Sequence, residues 1–347
     1  MTEEASGVWG IMLPWLSLTG AVMWLFLLAA LGLRVHKMLR ARGREDVTGR
    51  WLVVTGCDSG FGHGVVESLV ARGANVIAFC LTAQGADAAR SLGAKLAPCL
   101  DLTDDEAVVD ASREVMSACE GELWGLVHNA GVVLPGFVDY QPISFYRTVM
   151  DVNFFAPVLL TQRLLEPLRK GRGRVVLVSS VDGLVSLPGN APYDASKFAM
   201  EAYADALRVE LSFWNVHVSV VNPATMRTPL AMGFFEGHLK AWQAMERVDP
   251  DGAWKETYPK DWLDEYIAFN TQQLERIVQD PAHAIDDIMH ALTAKRPRLR
   301  YLSGTLAKTL FYALWLGPES WSARFKRSMI QPAPRLCVVR PTSEEKV

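Results

Sequence analysis

Short apolar runs alternate with longer amphipathic stretches along most of the chain. The runs at 51–55, 75–80, 96–100, 124–128, 174–180 and 216–221 are rich in β-branched residues and predict β-strands. The stretches between them, such as 64–72 and 104–119, have the length and period of helices. Apolar strands that alternate with helices indicate a parallel sheet covered on both faces. The pattern therefore predicts an α/β fold with a doubly wound parallel sheet.

The N-terminal pattern is different. No charged residue occurs between Glu4 and Arg34, and residues 11–33 are apolar over the ~20 residues that a helix needs to cross a bilayer. Cations cluster directly after this span, within residues 34–44. The positive-inside tendency then predicts a single-pass transmembrane anchor in contact with membrane lipid, with the following domain in the cytosol. A cleaved signal peptide is the alternative, although its basic flank would lie on the wrong side.

Five segments follow from these patterns. They are an N-terminal tail (1–10), the transmembrane anchor (11–33), a basic linker (34–48), one large α/β domain (49–330) and a C-terminal tail (331–347). Within the large domain, residues 229–270 are unusually rich in Met, Phe, Trp and Tyr. We expect this segment to cover a substrate pocket, and the alternative is that its aromatic side chains close the core.

Composition narrows the choice of partners. The 347 residues are 50% hydrophobic and 21% charged, which excludes a disordered chain. The net charge of −3 leaves no basic excess for a phosphate backbone, so no nucleic acid partner is expected. The five cysteines have neither CxxC nor Cys/His metal spacing and predict reduced thiols with no metal site.

A glycine-rich turn follows the first predicted strand. It reads Thr55-Gly56-Cys57-Asp58-Ser59-Gly60-Phe61-Gly62 and opens a predicted helix. Glycines let the backbone approach a pyrophosphate, and the helix N-terminus offers unpaired N–H groups to it. Tight turns also need glycine for steric reasons, so the motif by itself leaves both interpretations open.

Further motifs follow in a recognisable order. Asp101-Leu102-Thr103 comes after the third predicted strand, Asn129-Ala130-Gly131 after the fourth, and Tyr193-x-x-x-Lys197 opens a later helix. With the glycine turn they resemble the short-chain dehydrogenase/reductase family over residues 49–228. The resemblance implies a Rossmann-type domain that binds a nicotinamide dinucleotide and forms a homodimer. The cofactor-binding residues that it implies are Gly56, Asp58, Ser59, Gly60, Phe61, Gly62, Leu81, Asp101, Leu102, Asn129, Ala130, Gly131, Tyr193, Lys197, Pro223 and Thr228.

The choice of cofactor depends on charge at the end of the second strand. An acidic residue there binds the ribose 2′-hydroxyl, whereas Arg or Lys accepts the 2′-phosphate. This chain has neutral Cys80, Leu81 and Thr82 there, and Asp58 lies in the glycine turn. The sequence therefore favours NAD over NADP.

The catalytic prediction begins with Tyr193 and Lys197. Residues four apart share one face of a helix, and a lysine cation beside a phenol lowers its pKa from about 10. By resemblance, Tyr193 is the general acid/base, Ser180 holds the substrate oxygen, and Lys197 lowers the pKa of Tyr193 and binds the nicotinamide ribose. Asn153 then positions a water in a proton relay. His128 replaces the usual asparagine of the family and is expected to be structural.

The substrate prediction rests on a narrower resemblance. The turn 57–62, the segment 80–82 and the stretch 294–301 resemble the membrane-bound retinol and hydroxysteroid dehydrogenases, including the 17-beta and 11-beta types. The implied reaction interconverts a lipophilic alcohol and its carbonyl compound at the endoplasmic reticulum or another intracellular membrane. The alternatives are an enzyme like 3-hydroxybutyrate dehydrogenase and a catalytically inactive, membrane-tethered dinucleotide-binding protein.

Overall fold

The computed structural model describes Trp24, Leu28 and residues 43–334. These residues fall into two units. The large unit holds Val47–Leu292 and 298–334, and the small one holds 43–46 and Thr293–Pro297, where Arg44 Nη1 donates a hydrogen bond of 2.8 Å to Thr293 Oγ1. The predicted tail 1–10, the anchor 11–33 apart from Trp24 and Leu28, the linker before residue 43 and residues 335–347 lie outside the described part. In the described part, no helix is both long and apolar enough to cross a membrane.

The described strands form one parallel sheet. They are β1 (Trp51–Thr55), β2 (Asn75–Phe79), β3 (Gly125–His128), β4 (Arg174–Val178), β5 (His217–Pro223) and β6 (Arg300–Ser303), in the spatial order β2-β1-β3-β4-β5-β6. The order reverses between β1 and β3, and ligands of such sheets bind outside the carboxyl ends of the strands at this point. The predicted doubly wound parallel sheet is confirmed.

One predicted strand is absent, and one strand was not predicted. Residues 96–100 form only isolated parallel bridges to β2 and its end, at Ile77–Leu96 and Cys80–Cys99, because Pro98 lies between them and has no N–H to donate. Strand β6 was missed because Arg298 and Arg300 interrupt its short apolar pattern. It pairs with β5 in the register Val220–Arg300.

Helices connect the strands and cover the sheet. They are α1 (Gly60–Val70), α2 (Ala83–Leu92), α3 (Asp105–Ala118), α4 (Ile143–Met150), α5 (Ala156–Lys170), α6 (Ala191–Ser212), α7 (Pro229–Met232), α8 (Phe234–Val248), α9 (Trp254–Thr257), α10 (Lys260–Ile277), α11 (Ala282–Thr293), α12 (Tyr312–Leu316) and α13 (Glu319–Ser328). A π-helical turn, Asp151–Phe155, joins α4 to α5.

The core lies on both faces of the sheet. Along β1, Leu52 and Val54 pack into a cluster with residues of α1, α2 and α11, whereas Val53 packs on the other face with residues of α3, α5 and α6. Successive side chains of a strand point to opposite faces, so an apolar strand needs such cover on both sides. This packing fixes the carboxyl ends of the strands, where the predicted site residues lie.

Candidate active site

A cavity of about 930 Å³ opens at the carboxyl ends of the strands. All the predicted site residues line it except Gly62 and Asn153, which support its wall. The motifs are far apart in the sequence, and the parallel sheet brings them together because its strands end at one edge.

The glycine turn is interlocked with the 129–131 loop. Gly56 has φ of +70°, and a Cβ on it would lie 2.7 Å from Ala130 Cα. Thr55 Oγ1 accepts the N–H groups of Asn129 (3.1 Å) and Ala130 (3.0 Å). A Cβ on Gly62 would lie 2.2 Å from Gly56 O, so glycine is required there for close packing. The two loops therefore form one rigid wall of the cavity.

The N-terminus of α1 fits an anion. Ser59 precedes the helix in an extended conformation, and its side chain makes no capping hydrogen bond. The first N–H groups of a helix have no intrahelical partner and carry the positive end of its dipole. Across this end, the Thr228 methyl lies 3.5 Å from where a Cβ of Gly60 would be. The free N–H groups at this end can therefore bind an anionic group such as a pyrophosphate.

Asp58 occupies the opposite side of the turn, at the end of β2. Its carboxylate accepts hydrogen bonds from the N–H groups of Leu81 (2.8 Å) and Thr82 (2.9 Å) and from Thr82 Oγ1 (2.6 Å). Burial raises the pKa of Asp58, but these hydrogen bonds outweigh burial and hold the pKa below its ordinary value. The negative charge of Asp58 is therefore fixed beside the neutral residues Leu81 and Thr82 that follow β2.

Asn153 lies in the π-helical turn and is fully buried. Its Oδ1 accepts the N–H of Val132 (2.8 Å), and its Nδ2 donates to Val132 O (3.0 Å) and to Ser196 Oγ (3.0 Å). A Cβ on Gly131 would lie 3.3 Å from Asn153 Oδ1, so glycine keeps this approach open. The side chain thus braces the loop after β3 against α6.

Lys197 is buried one turn after Tyr193 on α6. Its Nζ donates to Val178 O (2.9 Å) and lies 5.3 Å from the centroid of the Tyr193 ring. Burial lowers the pKa of Lys197 to about 8, although the carboxylates of Glu201 and Asp182 oppose this shift. The Tyr-Lys pair predicted from the spacing is therefore brought together.

The pKa of Tyr193 differs from the sequence expectation. Burial and the nearby Asp182 carboxylate raise it, and the hydrogen bond with Ser180 opposes them. We expected Lys197 to lower the pKa, but its ammonium faces the ring and gives its hydrogen bond to Val178 O. The raised pKa of Tyr193 therefore reflects its burial and the Asp182 carboxylate, and the effect expected of Lys197 stays a prediction.

Asp182 is a site residue that sequence reasoning missed. It follows β4 in the turn Val181–Gly183, where its N–H donates to Ser180 Oγ (3.1 Å) and its Oδ2 accepts from Asn190 Nδ2 (3.3 Å). Burial raises the pKa of Asp182 to about 7, while Ser180, Lys197 and Asn190 oppose it. Burial and the charge of Asp182 raise the pKa of Asp194 to about 9. No motif marks these carboxyls in the sequence, because only folding buries them.

The aromatic segment 229–270 divides between two roles. Phe234, Phe235, Tyr266 and Phe269 line the cavity. The side chains of Trp242, Trp254 and Trp262 instead form a buried cluster with Phe137 and Tyr140. The expected pocket-covering role therefore describes one part of the segment. The alternative, in which aromatic side chains close a core, describes the part that holds the three tryptophans.

His128 is a neutral, buried side chain. Its Nε2 lies 2.8 Å from Thr161 Oγ1, and burial lowers its pKa to about 3. It does not line the cavity. A structural role, as expected from the sequence, is therefore consistent with its position.

Comparisons with known proteins agree with this geometry. Residues 50–238 match the family model described as short chain dehydrogenase. Retinol dehydrogenase 7 of Mus musculus is 38% identical over 90% of this chain and 100% of that protein. The 17-beta-hydroxysteroid dehydrogenase type 6 of Bos taurus is 36% identical over 86% and 95%.

Solved structures have the same fold. A short-chain dehydrogenase from Streptomyces avermitilis superposes with a TM-score of 0.63 at 25% identity, over 81% of this chain and 96% of that one. A short chain dehydrogenase/reductase from Burkholderia phymatum in complex with NAD gives 0.62 at 21% identity, over 83% and 98%. One from Burkholderia cenocepacia in complex with NADP gives 0.60 at 22% identity, over 80% and 98%.

Proposed function

The chain belongs to the short-chain dehydrogenase/reductase family, in the branch of the retinol and hydroxysteroid dehydrogenases, and on this basis we propose that it oxidises a lipophilic alcohol of steroid or retinoid type with NAD. One observation carries the proposal. Ser180, Tyr193 and Lys197 line a cavity that is also lined by Phe234 and Phe235. Proton-transfer groups and an apolar binding surface thus share one pocket.

The cofactor site fits a nicotinamide dinucleotide, which the family fold binds. The glycine turn and the N-terminus of α1 would hold the pyrophosphate, and Thr228 lies beside this turn. Asp58 supports the choice of NAD, because its carboxylate is fixed at the end of β2 and would repel a 2′-phosphate. Lys197 would bind the nicotinamide ribose.

Proton transfer is assigned to Tyr193. In alcohol oxidation its phenolate accepts the hydroxyl proton, and Ser180 Oγ donates a hydrogen bond to the substrate oxygen. The bound nicotinamide supplies the acceptor for the hydride that leaves the carbinol carbon. The positive charge of protonated Lys197 stabilises the Tyr193 phenolate. Since the pKa of Tyr193 is raised in the site, this cation matters for populating the phenolate.

We assign the binding of the relay water to the main-chain carbonyl of Asn153. Its side chain is already hydrogen bonded to Val132 and Ser196. Its carbonyl lies four residues before Pro157, which has no N–H to complete the helical hydrogen bond. That carbonyl is therefore suited to accept a hydrogen bond from the relay water.

The lining favours an apolar substrate. Burying apolar surface gives roughly 25 cal/mol per Å², so a ring system gains several kcal/mol against Phe234, Phe235 and Tyr266. A short hydroxy acid instead needs a cation for its carboxylate. In the described cavity lining, Lys197 is the cationic side chain, and Asp182 lies beside it. These contacts disfavour the 3-hydroxybutyrate alternative.

The anchor at 11–33 completes the proposal. A single-pass helix there would hold the enzyme at the endoplasmic reticulum or another intracellular membrane, with the catalytic domain in the cytosol. The membrane is the phase into which lipophilic alcohols partition. A homodimer is the expected assembly from the family resemblance.

A substrate panel tests the proposed function. Purified enzyme with NAD is assayed for NADH formation with estradiol, all-trans-retinol and 3-hydroxybutyrate, beside its own Tyr193→Phe variant. We expect kcat/KM to be higher for the lipophilic alcohols and to fall in the variant. The reverse ranking would support the 3-hydroxybutyrate alternative. No turnover of any alcohol, with dinucleotide binding intact, would support the inactive binding protein.

A further inference from the structure

A polar network lies behind the catalytic residues, buried at Asn222 and Glu201 and partly exposed at Arg300. Asn222 of β5 is fully buried, and its Nδ2 donates to Ser180 O (2.8 Å) and to Glu201 Oε1 (2.6 Å). Arg300 of β6 donates to Asn222 Oδ1 (2.9 Å) and makes a close ion pair with Glu201 Oε2. The network joins the end of β4, the two last strands and helix α6.

This network touches the catalytic groups without reaching the cavity. Glu201, Asn222 and Arg300 are absent from the cavity lining. Asn222 holds the main chain of Ser180, and Glu201 lies one helical turn after Lys197 on the same face of α6. Buried polar groups that are fully paired specify one arrangement of the elements that carry them. Here those elements carry Ser180, Tyr193 and Lys197.

The network also acts on Lys197 through the negative charge of Glu201. The groups that face Lys197 are Tyr193 and Glu201 on its own helix and Asp182 after β4, and Arg300 faces Glu201 from β6. Burial lowers the pKa of Lys197 to about 8, and the Glu201 carboxylate is the larger of the two opposing charges. Without it, the lysine would lose its proton closer to neutral pH.

We propose that Arg300, Glu201 and Asn222 are positioning residues, which fix Ser180 against the catalytic helix and keep Lys197 cationic in the working enzyme. The inference deepens the proposed function and rests on it for the role of Lys197. Each member has its own part. Asn222 sets the position of Ser180. Glu201 supplies the negative charge that favours the cationic form of Lys197, and Arg300 of β6 holds Glu201 in place.

The direct test reads the protonation of Lys197 in Glu201→Gln. Protein labelled with ¹³C at lysine Cε is titrated by NMR, and the Lys197 signal is assigned by its absence in Lys197→Met. We expect the Lys197 pKa to fall by about one unit in Glu201→Gln. The alkaline limb of kcat/KM for alcohol oxidation should move to lower pH by the same amount. An unchanged Lys197 titration would overturn the proposal.

A double variant separates charge from folding. Glu201→Gln leaves Arg300 without its anionic partner and is expected to lower stability. Adding Arg300→Gln removes that unpaired charge and keeps an amide donor for Asn222 Oδ1, so it should restore thermal stability while the Lys197 titration stays shifted. If the titration returned to its wild-type position together with stability, the network would be structural only and the proposal would be wrong.

A matched control is available on the same helix. Asp205 of α6 pairs with Arg208 three residues later, and its side chain is 66% exposed. Asp205→Asn removes the same charge from α6 outside the network and should leave the Lys197 titration unchanged. Because the NMR readout needs no substrate, failure to find a lipophilic substrate would count against the proposed function and leave this test intact.

Discussion

The Asp58 carboxylate accepts a 2.6 Å hydrogen bond from the hydroxyl of Thr82, which comes 24 residues later in the chain. This bond, with the two main-chain hydrogen bonds beside it, fixes an anion at the end of β2 although the residues there are neutral. The pKa of Asp58 is held below its ordinary value, so the charge persists through the neutral pH range.

Asp58→Asn should weaken the preference for NAD. The amide keeps an acceptor for Thr82 but removes the charge that would repel a 2′-phosphate. We expect the ratio of kcat/KM for NAD to that for NADP to fall by about tenfold, which corresponds to about 1.4 kcal/mol. Asp110→Asn, which neutralises an exposed carboxylate on α3, is the control. An unchanged ratio would assign the discrimination to another residue.

Tyr193→Phe should remove catalysis and keep dinucleotide binding. It deletes the hydroxyl that exchanges the proton, and such groups contribute about 10²–10⁴-fold in rate. The kcat is measured with the best alcohol of the panel, and binding is measured by NADH fluorescence. Tyr203→Phe changes another tyrosine of α6 that does not line the cavity and should retain activity. Retention of more than about a tenth of kcat in Tyr193→Phe would exclude it as the acid/base.

Asp182→Asn should flatten the pH dependence of stability. Burial raises the pKa of Asp182 from 3.8 to about 7, so the folded state holds this proton more tightly than the unfolded chain does. The resulting stabilisation is complete below the unfolded pKa and is lost as the pH rises through about 7. Urea midpoints at about pH 5 and about pH 8 should therefore differ more for the wild type than for the variant. Equal differences would show that Asp182 titrates normally.

Gly56→Ala should cost more than Gly49→Ala. Both glycines have a left-handed backbone, with φ of +70° and +72°. A Cβ on Gly49 meets nothing within 4 Å, whereas one on Gly56 would lie 2.7 Å from Ala130 Cα. The two variants share the cost of the backbone conformation, and Gly56→Ala adds an overpacking cost of about 1–3 kcal/mol. Urea unfolding compares them, and dinucleotide binding should be lost only in Gly56→Ala.

Residues 11–33 should anchor the chain. Alkaline carbonate extraction of membranes is expected to leave the full-length protein in the pellet. A charge at the centre of a spanning helix costs about 2.5–3.5 kcal/mol, so a variant carrying both Leu25→Arg and Leu28→Arg should be released. Release of the wild-type chain would contradict the anchor.

The sequence predicted the strands and motifs that depend on a local pattern of residues. The apolar runs located β1 to β5, and the motifs located Tyr193 and the glycine turn, because these features need only neighbouring residues. Strand β6 was missed because arginines interrupt its short apolar pattern, so that only its pairing with β5 in the folded chain identifies it. The raised pKa of Asp182 was equally hidden, since burial exists only in the folded chain.

The close contact of Gly56 with Ala130 limits how mutations at this position can be rescued. The two nearest atoms that a new Cβ would meet are Ala130 Cα and N, which every amino acid carries, so no replacement at position 130 makes room. Gly136 offers the contrast, because a Cβ there would lie 2.9 Å from the Cβ of Ala241. In a suppressor screen, Ala241→Gly should therefore rescue Gly136→Ala, whereas Gly56→Ala should yield no suppressor at position 130.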